Sequence, residues 1–572
     1  MERRTWLAQG QALARMSKPD FVTLWRAQPD PRTRDDLLRA RFRHDRVGFL
    51  RYTLPSVFPS AFDPFHLTVL GSAKQHWTAQ LANERRLNLA PRGDGKSTIT
   101  KGDLAHSIVY GLRRFVIVVA ATQGDAKDWA HTLRAWFEQP SDATAELHRL
   151  YGPFWVTGEQ HRFTVHGSWG KTTIWCASVR TSVQGANELT HRPDEVILDD
   201  WEDRKHVHSE AQRAAWKRKL QEEILKLGDR RRGLVVTANV TINHPDAPSA
   251  CIRRDEDGFR GWEVREFPAI LEWPTSAAKQ LWEQCSRIYL RLSLGGPVER
   301  YQLARRFYQA NQARMDEGAR VLNPAMLSLF DCYVMIWQEG LAAFLREMQH
   351  VESVNLNGLF ESSRFTRCRV ELDPITREVV VINGQDGRRV PLSQMVRRLV
   401  RWDWARGTQA GDDAALACIL RDGFGYGYVV DGWLKRVPTT QQVAAAWAMC
   451  ERWEVTHLSV ETNQAQSILI DEVWPQSVVE RQRHDPPLWT RAEAHAEPAV
   501  GNKEDELAAL EPATTAGLLQ FAVDLPPEGL AQFDAFDGVA NSHRDDFHDA
   551  VARGWALTGG MPPRMGQSRV WG

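Results

Sequence analysis

Four short runs between Leu87 and Asn239 are apolar almost throughout: Leu87–Ala90, Phe115–Thr122, Glu195–Asp200 and Gly233–Asn239. The stretches between them have the spacing of amphipathic helices. Runs without polar alternation belong to strands covered on both faces, and their alternation with helices predicts a mainly parallel α/β sheet. From Leu399 the texture changes. LVRWDWA, AALACIL and YGYVVDGWL, separated by the turns ARGTQAGDD and RDGFG, read as three consecutive antiparallel strands. A helical QQVAAAWAMCERW and a further strand, THLSVE, follow.

Pro19, Pro29, Pro31, Pro55 and Pro59 punctuate a helical beginning, so residues 1–60 are expected to form an N-terminal appendage. A nucleotide-binding type α/β domain is expected over 61–340, a linker with a hairpin over 341–395, a second α/β domain over 396–558, and a loose Gly- and Pro-rich tail over 559–572.

Size and charge narrow this little. At 572 residues the chain exceeds one compact unit. Lys+Arg and Asp+Glu both total 72, so any polyanion must be held by local patches and not by net charge. No stretch reaches the roughly 20 apolar residues that span a bilayer, and MERRTWLAQG lacks the core of a secretory signal. A cytoplasmic, non-secreted protein without a membrane partner is expected. The seven cysteines are scattered and never in a C-x-x-C pair, which predicts buried thiols and neither a disulfide framework nor a zinc knuckle.

Chemistry enters at Ala90-Pro-Arg-Gly-Asp-Gly-Lys-Ser97, between a strand and a helix. In a phosphate-binding loop the backbone N–H groups and the helix N-terminus wrap the phosphates, the lysine reaches the β and γ oxygens, and the hydroxyl holds Mg²⁺. Arg92, Gly93, Asp94, Gly95, Lys96, Ser97 and Thr98 are the candidate ATP-binding residues. The strict pattern has Gly where Ala90 stands. Asp199 and Asp200 end the third apolar run, where one carboxylate would orient Mg²⁺ and the next polarise water; Asp199 is assigned to the metal and Asp200 to the catalytic base. Thr237, Ala238 and Asn239 end the fourth run and are candidates for coupling loss of the γ-phosphate to neighbouring structure. Arg92 inside the loop could neutralise charge in the transition state, within its own chain or on a neighbouring subunit.

The second half carries its own acidic set. Asp403 lies in the first meander strand, Glu461 ends THLSVE, and Asp545, Asp546 and Asp549 begin a late helix, with Asp549 on one helical face with either neighbour. Carboxylates in that order match an RNase H-like fold, in which they hold two divalent ions about 3.5–4 Å apart for phosphodiester cleavage. Asp403, Glu461, Asp545 and Asp546 are the candidate catalytic residues, and Asp403, Glu461, Asp546 and Asp549 the candidate ligands of Mg²⁺ or Mn²⁺, with the choice among 545, 546 and 549 open. Asp412 and Asp413, in the first hairpin turn, could support the carboxylate site from behind or simply be turn residues, and the turn reading is slightly favoured. Arg397, Arg398, Arg401 and Arg406 could face a DNA backbone, although such runs are usually solvated surface.

APRGDGKST, FVIVVAATQGDAKDW, RPDEVILDDWED, VVTAN, AFLREMQ, the Asp403 strand, VETNQAQ and RDDFHDAV together resemble the large terminase subunit of tailed bacteriophages, over about residues 60–555. The resemblance implies a P-loop ATPase domain followed by an RNase H-like nuclease domain. It also implies a ring, typically a pentamer, on the portal of a procapsid in the host bacterial cytoplasm, driving double-stranded DNA inward. A metal-dependent cut of concatemeric DNA and a small terminase subunit as partner complete the implied picture. The departures are Ala90 and Asp200, where many relatives carry Gly and Glu. The competing readings are a helicase-like ATPase-nuclease of DNA repair or restriction, and a non-enzymatic DNA-binding scaffold.

Overall fold

The computed structural model describes residues 9–72, 83–187, 191–202, 207, 209–229, 231–242, 244–291, 294–351, 359–405, 413–462, 469–498, 503–536 and 544–559. The side chains of 342, 461, 462, 498 and 503–505 lie outside the description. So do Asp203, Arg406, Asp412 and the tail beyond Gly559. The chain divides into two compact units.

The first unit comprises Met1–Leu271, Val321–Ser328 and Leu345–Ser353. Its eight strands are β1 (Arg85–Leu89), β2 (Phe115–Ala120), β3 (Trp155–Gly158), β4 (Arg162–Gly167), β5 (Gly170–Ser178), β6 (Glu195–Asp199), β7 (Val235–Val240) and β8 (Glu263–Glu266). They lie in the order β3-β4-β5-β2-β6-β7-β1-β8. The four apolar runs form the adjacent strands β2, β6, β7 and β1, all parallel. β2 explains why its run does not alternate. Val116, Val118 and Ala120 enter a core shared with the helix Lys96–Val109 and the N-terminal helices, while Phe115, Ile117 and Val119 enter a second core on the opposite face. The meander β3-β4-β5, which the continuous-run criterion does not detect, extends the sheet beside β2 through antiparallel pairing within the meander and a parallel β2–β5 contact.

Two short strands, β9 (Ile270–Glu272) and β10 (Arg320–Val321), follow. The second unit comprises Glu272–Arg320, Leu329–Phe344 and Val354–Gly572. Its sheet contains β11 (Arg367–Leu372), β12 (Val379–Ile382), β13 (Arg389–Pro391), β14 (Met395–Asp403), β15 (Ala414–Asp422), β16 (Gly427–Lys435), β17 (His457–Thr462), β18 (Glu493–Pro498) and β19 (Leu519–Ala522). The order is β13-β12-β11-β19-β16-β15-β14-β17-β18. The expected meander is β14-β15-β16, antiparallel throughout, and THLSVE supplies β17, which runs parallel to β14. The fold is therefore α/β in both units: a mainly parallel sheet in the first and, in the second, a meander-led mixed sheet of RNase H-like strand order.

All seven cysteines are buried and none is in a disulfide. Among the described residues no helix is long and apolar enough to cross a membrane.

Candidate functional site

The loop 90–97 joins the end of β1 to the helix Lys96–Val109. Gly93 and Gly95 stand at φ of 84° and 69°, left-handed values at which a side chain would strain the backbone. Those two residues let the chain curl tightly into the helix N-terminus, whose unpaired N–H groups and positive dipole end suit an anion. Lys96 is buried, and its Nζ donates to the carbonyl oxygens of Ala90 (3.2 Å) and Pro91 (3.1 Å) and to Thr241 Oγ1 (2.9 Å). It also lies 3.6 Å from Asp200 Oδ2.

The register of the sheet carries the acidic pair to this loop. Ser97 Oγ donates to Asp199 Oδ2 at 2.5 Å, and Trp129 Nε1 donates to the same oxygen at 2.7 Å. Asp199 Oδ1 is buried with no hydrogen-bond partner among the described residues. Burial, then the neighbouring Asp200 charge, pushes the Asp199 carboxyl up to about 6. A buried carboxylate with one orphaned oxygen beside a serine hydroxyl is a donor set that fits a hard divalent cation.

Asp200 follows at φ 38°, a non-glycine left-handed residue at the strand end. Its backbone N–H donates to the Asn239 carbonyl oxygen at 3.0 Å, and its Oδ1 accepts the Thr241 N–H at 2.9 Å. Strain held by such contacts marks a position whose geometry is imposed by the surrounding fold. Asn239, level with Asp199 across β6–β7, is fully buried between Asn88 and Thr100, at 2.8 Å from each. Thr237 and Ala238 lie further back along β7, level with Ile197 and Leu198. Of the loop residues, Thr98 is exposed and Arg92 points to Glu347, with Nη1 3.2 Å from Oε2 and its backbone N–H on the Glu347 carbonyl oxygen.

The sequence patterns missed several of these partners. Thr241 is simply the next polar residue past VVTAN, a weak signal. Trp129 sits on a helix face where tryptophan reads as core. Glu202, two residues past the Asp199-Asp200 pair and without a motif of its own, is 3% exposed and accepts both the Ser249 N–H (2.8 Å) and Oγ–H (2.6 Å) through Oε1. Burial, opposed by those hydrogen bonds, raises its carboxyl to about 7.

A carboxyl raised in the fold contributes stability fully present below its unfolded value near pH 4.5 and lost as pH rises through about 7. Glu202→Gln is expected to remove that loss, worth on the order of 3 kcal/mol. Its melting temperature relative to wild type should rise between pH 4.5 and 8. An identical offset at both pH values refutes this.

In the second unit Asp403 ends β14, half-buried. Trp402 pairs with Val460 across β14–β17, so Glu461 stands next beyond that register pair; its side chain lies outside the description. The helix Asp546–Leu557 packs across β14, β15 and β16. A Cβ on Gly432 would meet the Phe547 ring at 2.7 Å, and one on Gly427 the Trp555 ring at 2.1 Å. These close approaches fix the helix direction and turn its first residues toward the end of the sheet that carries Asp403. Asp546 and Asp549 are 7% and 3% exposed, and Asp549 accepts Arg553 Nε at 3.0 Å. Asp545 lies just before the helix, its carbonyl oxygen accepting the Asp549 N–H at 2.7 Å. Buried acids at a helix start are favoured by the dipole, and such donors fit Mg²⁺ or Mn²⁺. Asp403, Asp546 and Asp549 do not form a trio of ligand atoms within 4.8 Å of one another.

Two side observations change earlier expectations. Asp413 is more than a turn residue, since its two oxygens take Arg436 Nε (3.0 Å) and Arg544 Nη1 (2.9 Å). Arg401 is 1% exposed and donates to Ser459 Oγ at 2.9 Å, so it does not face a DNA backbone.

No family model matches the chain, and no curated protein matches it. Among solved structures it is similar to the large terminase of a thermophilic bacteriophage, at 9% identity and TM-score 0.44, over 87% of this chain and 100% of that one. It is also similar to the ATPase domain of the Thermus phage P74-26 large terminase, at 14% identity and TM-score 0.21, over 41% of this chain and 90% of that one. A third similarity is to the human cytomegalovirus terminase nuclease domain, at 12% identity and TM-score 0.22, over 28% of this chain and 81% of that one.

Proposed function

We propose that this chain is the large terminase subunit of a tailed bacteriophage, an ATP-driven motor for double-stranded DNA that also carries a metal-dependent endonuclease. The observation that carries the ATPase half is the meeting of Ser97 with Asp199 and of Lys96 with Asp200 at one strand end. Ser97 and Asp199 would hold Mg²⁺, which supplies positive charge to the phosphates of bound ATP. The loop N–H groups and Lys96 bind and orient the triphosphate. Asp200, anchored by the Thr241 N–H, takes the proton of the attacking water. Asn239, bonded to Thr100 on the helix that leaves the loop, links the strand end to that helix and is the residue best placed to transmit a change at the phosphates. Thr237 and Ala238 complete the proposed coupling segment.

For the nuclease half, Asp403, Glu461 and Asp546 are the proposed ligands of two Mg²⁺ or Mn²⁺ ions, which supply water activation and leaving-group stabilisation when bound. Asp545 and Asp549 are the adjoining candidates, and the Arg553 contact makes Asp549 the less available. The proposed partners are double-stranded DNA, a portal-bearing procapsid, a small terminase subunit and further copies in a pentameric ring, all in the host bacterial cytoplasm.

The test is phosphate release from ATP by purified protein, alone, with linear DNA, and with DNA plus portal-bearing procapsids. Stimulation by procapsids together with DNA entry into them supports the motor. Stimulation by DNA alone, unchanged by procapsids, moves the assignment to a repair or restriction enzyme. No hydrolysis in any mixture sinks both.

Arg92 provides a sharper check of the loop. Released from Glu347, its guanidinium reaches charge developing on the transferred phosphoryl group. Arg92→Ala is expected to keep nucleotide binding, measured by fluorescent-ATP titration, and to lose most turnover. Wild-type hydrolysis by the variant refutes the role.

A further inference from the structure

Beside the phosphate loop lies a cluster of side chains to which the proposed hydrolysis assigns no step. The helix Pro64–Gly71 begins at Asp63, and His66 in its first turn reaches the loop, where its Nε2 lies 2.7 Å from the Asp94 carbonyl oxygen. A carbonyl only accepts, so Nε2 carries the proton and Nδ1 presents a lone pair. That lone pair takes only a long 3.3 Å contact from the Asp63 N–H, and it stands 3.2 Å from Asp63 Oδ2, another lone-pair atom. The Asp94 carboxylate supplies the third: ligand atoms of Asp63, His66 and Asp94 lie within 4.8 Å of one another.

All three residues are buried, at 2%, 7% and 9% exposure, and Asp94 Oδ2 has no hydrogen-bond donor among the described residues. Asp63 Oδ1 is occupied by the His66 N–H at 2.8 Å, and its Oδ2 has Asn323 Nδ2 only at 3.5 Å. Two carboxylates and an imidazole lone pair facing one another in a dry site repel unless something positive sits between them. Burial, then the adjoining Asp63 carboxyl, raises the Asp94 carboxyl above its ordinary range.

We propose that Asp63, His66 and Asp94 form a binding site for a divalent transition-metal ion, with Zn²⁺ as the matching species, separate from the Mg²⁺ site at Ser97 and Asp199. The donor chemistry selects the ion, because imidazole favours zinc-like metals over Mg²⁺ while two carboxylates complete a small oxygen-rich set. The hydrogen bond from the opposite ring nitrogen to a backbone carbonyl is the arrangement that orients metal-ligating histidines. The ion would tie the start of the helix Pro64–Gly71 to the phosphate loop, bracing Asp94 and its neighbour Gly95 before nucleotide arrives.

The experiment strips the full-length protein with a chelator, adds Zn²⁺, desalts, and measures zinc per chain and melting temperature. Wild type is compared with His66→Gln, Asp94→Asn and, as a control at an exposed residue of the other unit outside every proposed site, Glu528→Gln. The site predicts one zinc equivalent more in wild type and in Glu528→Gln than in the two cluster variants, and a zinc-dependent rise in melting temperature confined to the former pair. Asp94→Asn keeps side-chain shape and relieves the carboxyl crowding, so a well-folded Asp94→Asn variant with undiminished zinc overturns the proposal. Equal zinc in all four proteins, or none in wild type, overturns it too and leaves a shared proton between Asp63 and Asp94 as the explanation of the cluster.

Discussion

Replacing Lys96 by alanine is expected to lower ATP turnover by about 10²–10³-fold, the scale for losing one preorganised donor to transition-state charge. Lys96 is the sole cation the loop aims at its own interior: three donors of one buried ammonium reach Ala90, Pro91 and Thr241, and Asp200 lies 3.6 Å away. Exchange of those carbonyl contacts for phosphate oxygens replaces neutral acceptors by charged ones, and charge-assisted hydrogen bonds are about twice as strong. The substitution also removes the positive neighbour of Asp200. A damaged loop is the competing explanation of lost turnover, because each carbonyl left buried without a donor costs on the order of 1–3 kcal/mol. Lys96→Arg separates the two effects: it preserves the charge and donors but cannot occupy the same space, so turnover should stay low while melting temperature recovers. Metal-dependent DNA cutting, which the proposal assigns to the second unit, should be unchanged in both variants. Hydrolysis within a few-fold of wild type in Lys96→Ala would remove the loop from the chemistry.

What was legible in the sequence follows from which contacts are local. β1, β2, β6 and β7 could be read because strands buried on both faces leave no polar positions, as Phe115–Ala120 illustrates. β3 and β4 could not, since β4 alternates buried and half-buried positions and the edge strand β3 is mostly exposed. Ser97 and Asp199 are legible as candidates because loop and strand end are each contiguous motifs. Their supports were not. Trp129 reaches Asp199, and Thr241 reaches Lys96, only once the parallel order of the sheet is known. The same holds for His66 and Asp94, which belong to different elements and share no spacing pattern. Arg401 illustrates the opposite error, a charge in a basic run that the pairing of β14 with β17 turns inward onto Ser459.

Asp403→Ala is expected to abolish cutting of plasmid DNA with Mg²⁺ or Mn²⁺, a loss on the order of 10²-fold or more, while ATP turnover stays at the wild-type level. The fold should tolerate the change. Asp403 is half-buried at the end of β14 and paired with Ala415, whereas the core load of that strand end is carried by Trp402, which is 1% exposed. Its removal therefore takes away a carboxylate and little apolar packing. Asp403→Asn refines the test, because it keeps shape and hydrogen-bonding capacity but lacks the charge that holds a divalent ion; activity restored by asparagine would mean that Asp403 positions the strand end and binds no metal. The assay follows conversion of supercoiled plasmid to nicked and linear forms, with chelator as the blank. Cutting lost in both variants with ATPase intact would establish two separable active sites on one chain. Cutting retained in Asp403→Ala would detach the nuclease from β14 altogether, and the first turn of the helix Asp546–Leu557 would then have to supply the ions without it.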